Sequence, residues 1–141
     1  MTVDEFNASI DRALRLAPKW FCMSDPVASQ AEINSVESDL GISLPDQLMH
    51  FWKKYGSGYF GQINICSARQ DSDFSYRKSL LRDPSFFVVS DDETGAYYGY
   101  DISSKSEKDA IYFRDEDGSR HIISPTFFDF VLDFSLPEFC R

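Results

Sequence analysis

Three absences narrow the class of this protein before any element is assigned. Its 141 residues hold no run approaching the ~18 apolar residues of a membrane-spanning helix, so no spanning helix is expected. The N-terminal stretch MTVDEFNASIDRALRLAPKW carries acids early and no apolar core run, so neither a signal peptide nor a membrane anchor is expected. Cysteine is scarce: Cys22, Cys66 and Cys140 are odd in number, widely spaced and set in mainly apolar surroundings. They read as reduced, partly buried thiols of a cytoplasmic protein rather than a disulfide framework. No Cys or His pair stands at zinc-ligand spacing, and His50 and His121 are the only two histidines.

The parts that catalysis usually needs are missing as well. Neither histidine belongs to an H-E-x-x-H pattern, and nothing in the sequence pairs His50 with Cys22 and an acid as a nucleophilic site. Gly95 and Gly99 in ETGAYYGYD lack the phosphate-loop pattern with its following Lys-Ser/Thr, and read as turn and close-approach glycines instead. No catalytic residue, metal or cofactor is assigned, and an enzyme is not expected.

What is abundant is aromatic and acidic. Thirteen Phe, seven Tyr and two Trp supply large apolar area, useful in a core and at interface anchors alike. Fourteen basic against 23 acidic residues give a net charge of −9, which repels a phosphate backbone and attracts a basic partner. Residues 90 to 117 hold nine acidic and three basic side chains, so most of that excess lies in one stretch. Asp91, Asp92 and Glu93, and again Asp115, Glu116 and Asp117, invite a hard-cation reading, yet neither run continues into a twelve-residue EF-hand loop. Solvated hairpin turns are the default reading of both.

Periodicity gives the elements. Val3, Phe6, Ile10, Leu14 and Ala17 form one helical stripe ending near Pro18. WFCMSDPVAS reads as an ordered connection. Ser29 and Glu32 form a capping box that starts a second helix near Ala31, and Gly41 ends it. Pro45 suits the first turn of a third helix, whose apolar face is Leu48, Phe51, Trp52 and Tyr55 and which Gly56 stops. Beyond Gly58 the period shortens: YFGQINI, SFFVVS, GAYYGYDI, DAIYFR and SRHIIS read as strands, the last three consecutive and antiparallel. DFSYRKSLLRDP suggests a short helical excursion, and Pro125 opens a final helix with Phe127, Phe128, Val131, Leu132 and Phe134 on its apolar face. The class is α+β: a mainly antiparallel sheet of about five strands, with helices at the N-terminus and a C-terminal helix packed on it, in a single domain over residues 1–141.

AEINSVESDLGISLPDQLMHFWKKYGSGYF resembles the opening signature of the SUKH superfamily, whose members include fungal Smi/Knr-type cell-wall regulators and many bacterial immunity proteins. Ile33, Glu37, Leu40, Gly41, Ile42, Leu44, Pro45, Phe51 and Gly56 occupy the matching positions. The strand FFVVS, the turn DDETG, the aromatic strand ending at Asp101, AIYF and SPTFFDFVLDF follow more loosely, so the likeness covers roughly residues 29–134. YGSG stands where the family often has an Asn-Gly turn, and Gly56 can still supply the left-handed backbone. The resemblance implies a non-catalytic domain whose bacterial members bind and neutralise a cognate protein toxin, frequently a nuclease; direct contact with nucleic acid is not expected from the charge, nor contact with a membrane from the lack of a long apolar run. Residues 36 to 60 are then mainly scaffold, with Leu44, Phe51 and Trp52 in the core and Glu37 capping or pairing locally. Partner contacts are expected at Asp91, Asp92, Glu93, Tyr97, Tyr98 and Tyr100, with Asp115, Glu116 and Asp117 on the neighbouring turn. Alternation along the strand means that only one face of AYYGY can meet a partner. The alternative is a regulatory or scaffold module of the fungal type.

Overall fold

Helix α1 (Val3–Leu16) begins where Thr2 Oγ1 accepts a hydrogen bond from the Glu5 N–H at 3.1 Å, and it buries Phe6, Ile10 and Ala13 along one stripe. The computed structural model describes residues 1–80, 82–104 and 107–141. In α2 (Gln30–Leu40) the capping box forms as read: Glu32 N–H donates to Ser29 Oγ at 3.1 Å and Ser29 N–H to Glu32 Oε1 at 3.0 Å. Gly41 closes this helix with a φ of 65°, a left-handed conformation that a β-carbon would strain. Glu37 then ties the bend, its Oε2 accepting from the Leu44 N–H at 2.8 Å. Pro45 caps α3 (Asp46–Lys54), which therefore starts one residue later than expected.

The strands form two antiparallel sheets. The first orders β1 (Phe21–Asp25), β2 (Ser57–Phe60) and β3 (Ile63–Ile65); the second orders β4 (Phe86–Asp91), β5 (Tyr97–Asp101), β6 (Ile111–Arg114) and β7 (Arg120–Ser124). They abut where the Cys66 N–H donates to the Val89 carbonyl at 2.8 Å and the Asp91 N–H to Asn64 Oδ1 at 2.9 Å. The described residues thus hold seven strands, two more than the sequence indicates. One of the extra pair is β1, where a connection is expected; Phe21 lies opposite Phe60, and Cys22 opposite Tyr59. The other comes from YFGQINI, which is a hairpin rather than one strand. Gly61 turns it with a φ of 62°, and a side chain there would collide with the Ser135 carbonyl. The helical excursion is a single turn, α4 (Arg77–Leu80).

The C-terminal helix α5 (Phe127–Ser135) is capped by Thr126 Oγ1, which accepts from the Asp129 N–H at 3.2 Å. It lies against α1, α3 and β7. Phe128 stacks on Phe6 with ring centroids 3.9 Å apart, and Phe51 meets Phe60 edge-on at 4.9 Å and Phe127 at 5.6 Å. Trp52 donates its indole N–H to the Cys66 carbonyl at 2.7 Å, so even its polar end is satisfied inside. Leu44, Phe51 and Trp52 are all buried, as scaffold residues should be. Burial of one such ring contributes about 1.5–3 kcal/mol in area terms. Cys66 and Cys140 are buried, Cys22 is exposed, and all three are free thiols.

Candidate functional site

Strand register decides where the acids go. Tyr97 at the start of β5 lies opposite Asp91 of β4 and Arg114 of β6. Turns 92–96 and 115–119 therefore emerge at the same end of the sheet. They also touch: a β-carbon at Gly95 would come within 2.9 Å of Glu116 Oε1. Asp91, Asp92, Glu93, Asp115, Glu116 and Asp117 are thereby gathered at one end of the fold.

Each turn is built by its own acids. Asp92 Oδ1 accepts from the N–H groups of Thr94 at 2.8 Å and Ala96 at 3.1 Å, and Asp91 Oδ1 from that of Glu93 at 2.8 Å. Asp115 Oδ1 accepts from the Asp117 N–H at 3.2 Å, and Asp117 Oδ1 from the Ser119 N–H at 2.8 Å and from the Ser119 hydroxyl. These are side-chain turns that favour Asp for a local reason. They also hold the charge. Burial works to raise the Asp92 carboxyl, but the Thr94 and Ala96 donors outweigh it and leave it below the usual range. The contact with Asp115, then the Ser119 hydroxyl and N–H, hold Asp117 down to about 2.

The three candidate tyrosines separate. Tyr97 faces outward, its hydroxyl accepting from Arg82 Nη1 at 2.8 Å. Tyr98 turns the other way and is half-buried, its ring 5.3 Å from that of Phe130 and 5.4 Å from that of Phe113. Tyr100 is a correction to the expected contact set: it is only 5% exposed and packs beside Phe87, and burial raises its hydroxyl pKa well above the ordinary value. Side chains alternate along β5, so Tyr98 and Tyr100 share the core face and Tyr97 the outer one. Tyr97 joins the acids on the outer face, while burial and then the Asp92 charge raise the Tyr98 pKa.

A cleft of about 610 Å³ opens beside these turns. Asp91, Glu93 and Tyr97 line it, together with Tyr59, Asn64 and Phe74, which sequence reasoning passed over. Tyr59 is 48% exposed; it donates its hydroxyl to Glu93 Oε1 at 2.8 Å and sets its ring edge-on to Phe74 at 5.2 Å. That hydroxyl contact with Glu93 raises the Tyr59 pKa. The available signal was the placement of Tyr59 between the inward-facing Gly58 and Phe60, which alternation turns outward.

Behind this end, Asp83 accepts from Arg114 Nε at 2.9 Å and from Arg120 Nη2 at 2.7 Å, while Asp101 pairs with Arg120 Nη1 at 3.1 Å. Burial opposes the charge on Asp83, but Ser85 and the two arginines outweigh it and bring its pKa down to about 2. These partly buried pairs clamp the segment before β4 across the sheet. His50 is structural: Nε2 lies 2.8 Å from Asn7 Oδ1, joining α3 to α1. Among the described residues no group of three or more His, Cys, Asp and Glu is placed to hold a metal ion, and no helix is long and apolar enough to cross a membrane.

A family model, SUKH_6, described as SMI1-KNR4 cell-wall, matches residues 30–131. The chain belongs to the SUKH superfamily. No curated protein sequence matches this SUKH member significantly. Among solved structures it is similar to a crystal structure of a protein from Pseudomonas syringae pv. tomato. That similarity has a TM-score of 0.67 at 12% identity and covers 90% of this chain and 96% of the other. At such identity the likeness carries the fold alone, and the fold is the α+β arrangement described above.

Proposed function

We propose that this SUKH protein is a non-catalytic, cytoplasmic immunity protein that binds a cognate bacterial toxin, of the basic nuclease kind, and covers its substrate-binding surface. The observation that carries the reading is the contact between Gly95 and Glu116, which merges two acidic turns into one surface. A nuclease is basic where it meets phosphate, so a compact acidic surface on a chain of net charge −9 matches it and speeds association. Tyr97 and Tyr59 supply aromatic anchors beside the charge. The test is capture of the toxin domain encoded by the adjacent upstream gene, at low and high salt, with co-expression to score rescue from toxicity. Salt-weakened binding that relieves toxicity supports the reading; binding that is absent, with toxicity unrelieved, overturns it for that pair.

A second reading is a regulatory module that binds signalling partners without inhibiting an enzyme. It is favoured by the wording of the matching family model, which names the cell wall. Stable capture of a partner whose activity is unchanged in the complex would select it.

A further inference from the structure

Of the features that the acidic turns leave unexplained, the cleft beside them carries the most chemistry. Asn64 lines it and is only 7% exposed. Its orientation is set by the backbone: the Asp91 N–H can only donate, so Oδ1 faces Asp91, at 2.9 Å, and also accepts from Ser90 Oγ at 3.3 Å. Nδ2 has no hydrogen-bond partner among the described residues. Unlike the Oγ atoms of Ser124 and Ser135, which are unpaired and sealed from solvent, it is not closed off, and it opens on the cleft that Asn64 lines. A buried amide donor left open in this way calls for an acceptor from outside. Tyr59, Phe74 and Tyr97 line the same cleft, as do Asp91 and Glu93.

The charges around the cleft decide the sign of the occupant. Asp73, Asp91 and Glu93 face Lys78 and Arg82. None of these five groups forms an ion pair among the described residues; Lys78 donates to the Asp73 carbonyl, Arg82 to the Tyr97 hydroxyl, Glu93 accepts from Tyr59 and Asp91 from the Glu93 N–H, so the three carboxylates outnumber the two cations and leave the lining net acidic. Aromatic faces with carboxylates at their edge suit a cation, and a guanidinium above all, because it is planar and stacks.

We infer that the cleft seats an arginine of a partner polypeptide, its guanidinium between the aromatic rings and the Asp91 and Glu93 carboxylates, and a neighbouring backbone carbonyl on the Asn64 amide. This rests on the reading of the protein as a binder of a basic partner, and gives that surface a specific anchor. The source of the guanidinium is a peptide segment rather than a free small cation, because a peptide brings both the side-chain charge for the carboxylates and a backbone carbonyl for the Asn64 donor.

The test uses the full chain, ¹⁵N-labelled, titrated with acetyl-arginine N-methylamide, with its uncharged citrulline counterpart and with ethylguanidinium. Blocked arginine should shift the amide signals of residues 91–97 and the Asn64 side-chain signal. The citrulline probe and ethylguanidinium should each bind about tenfold more weakly, roughly the weight of one charge contact or one hydrogen bond lost. Asp91→Asn with Glu93→Gln should weaken blocked arginine by at least about tenfold, and Tyr59→Ala should weaken it more than Tyr59→Phe. Equal binding of citrulline overturns the cation, equal binding of ethylguanidinium overturns the role of Asn64, and no shift around the cleft overturns the site. No toxin enters this titration. A null result alongside intact toxin capture therefore removes the cleft alone, and a positive titration without capture removes the toxin reading alone.

Discussion

Helix α3 and the paired turns 92–96 and 115–119 are each crowded with one kind of side chain, and they put that crowding to opposite uses. In α3 the aromatic residues are sealed: Phe51 and Trp52 show almost no surface, and the indole N–H is satisfied internally. In the turns the acids remain at the surface, and Asp92 and Asp117 each engage one oxygen with the backbone and are held below the usual carboxylate range. Packing makes the first region intolerant of volume change, because a vacated space keeps no partner atoms. In the second, a shape-conserving change leaves the fold intact, and a change of charge alters what the surface attracts. A binding surface built on such turns can vary its acids without disturbing the core that α3 closes.

The contrast can be broken most sharply inside the helix. Trp52→Ala should cost about 3–5 kcal/mol in urea unfolding; a loss under about 1 kcal/mol would mean that α3 does not close the core. Gly61→Ala comes next, at about 2–3 kcal/mol by the same measurement, since it combines a positive φ with a collision at the Ser135 carbonyl.

Asp83→Asn tests the clamp that ties the segment before β4 to Arg114 and Arg120 behind the turns, and should cost about 1–2 kcal/mol, part of the pair energy being lost to solvent screening. The folded pKa of Asp83 is about 2, below its ordinary value of 3.8, so its stabilisation is complete above pH 4 and is lost as pH falls from there towards 2. Wild type should show that loss in acid unfolding, and the variant should show less of it.

The smallest effect on stability belongs to the turns. Asp115→Asn, Glu116→Gln and Asp117→Asn together should shift the urea unfolding midpoint less than any of the changes above, yet they should slow association with a basic partner and flatten its salt dependence. Unaltered binding at every salt concentration would show that the partner meets another surface.

The readable parts of the sequence were those whose partners lie a few residues away. Ser29 and Glu32 satisfy each other across the first turn of α2, Gly41 ends that helix by bonding back to Glu37, and the acid turns close on their own amides. The strand β1 was not readable. Its edges are satisfied by Ser57–Phe60, more than thirty residues on, and Pro26 masks it as a connection. Gly61 was likewise opaque, because the atom that forbids a side chain there belongs to Ser135. In the candidate site, the six acids and Tyr97 could be named from composition and spacing. Tyr100 was misplaced because alternation states that one face is buried without stating which. Tyr59, Phe74 and Asn64 were missed because they reach the cleft from separate segments.

By itself the amino-acid order determined the α+β class, the helix boundaries and the excess of negative charge. Capping, periodicity and charge act within a turn or add along the chain irrespective of shape. Only the tertiary structure decided that two acidic turns share one surface, that Tyr97 faces outward while Tyr100 is enclosed, and that Asn64 and three aromatic residues line one cleft. Those facts depend on strand register and on contacts between distant segments, which the closing of the aromatic core sets and no local rule contains.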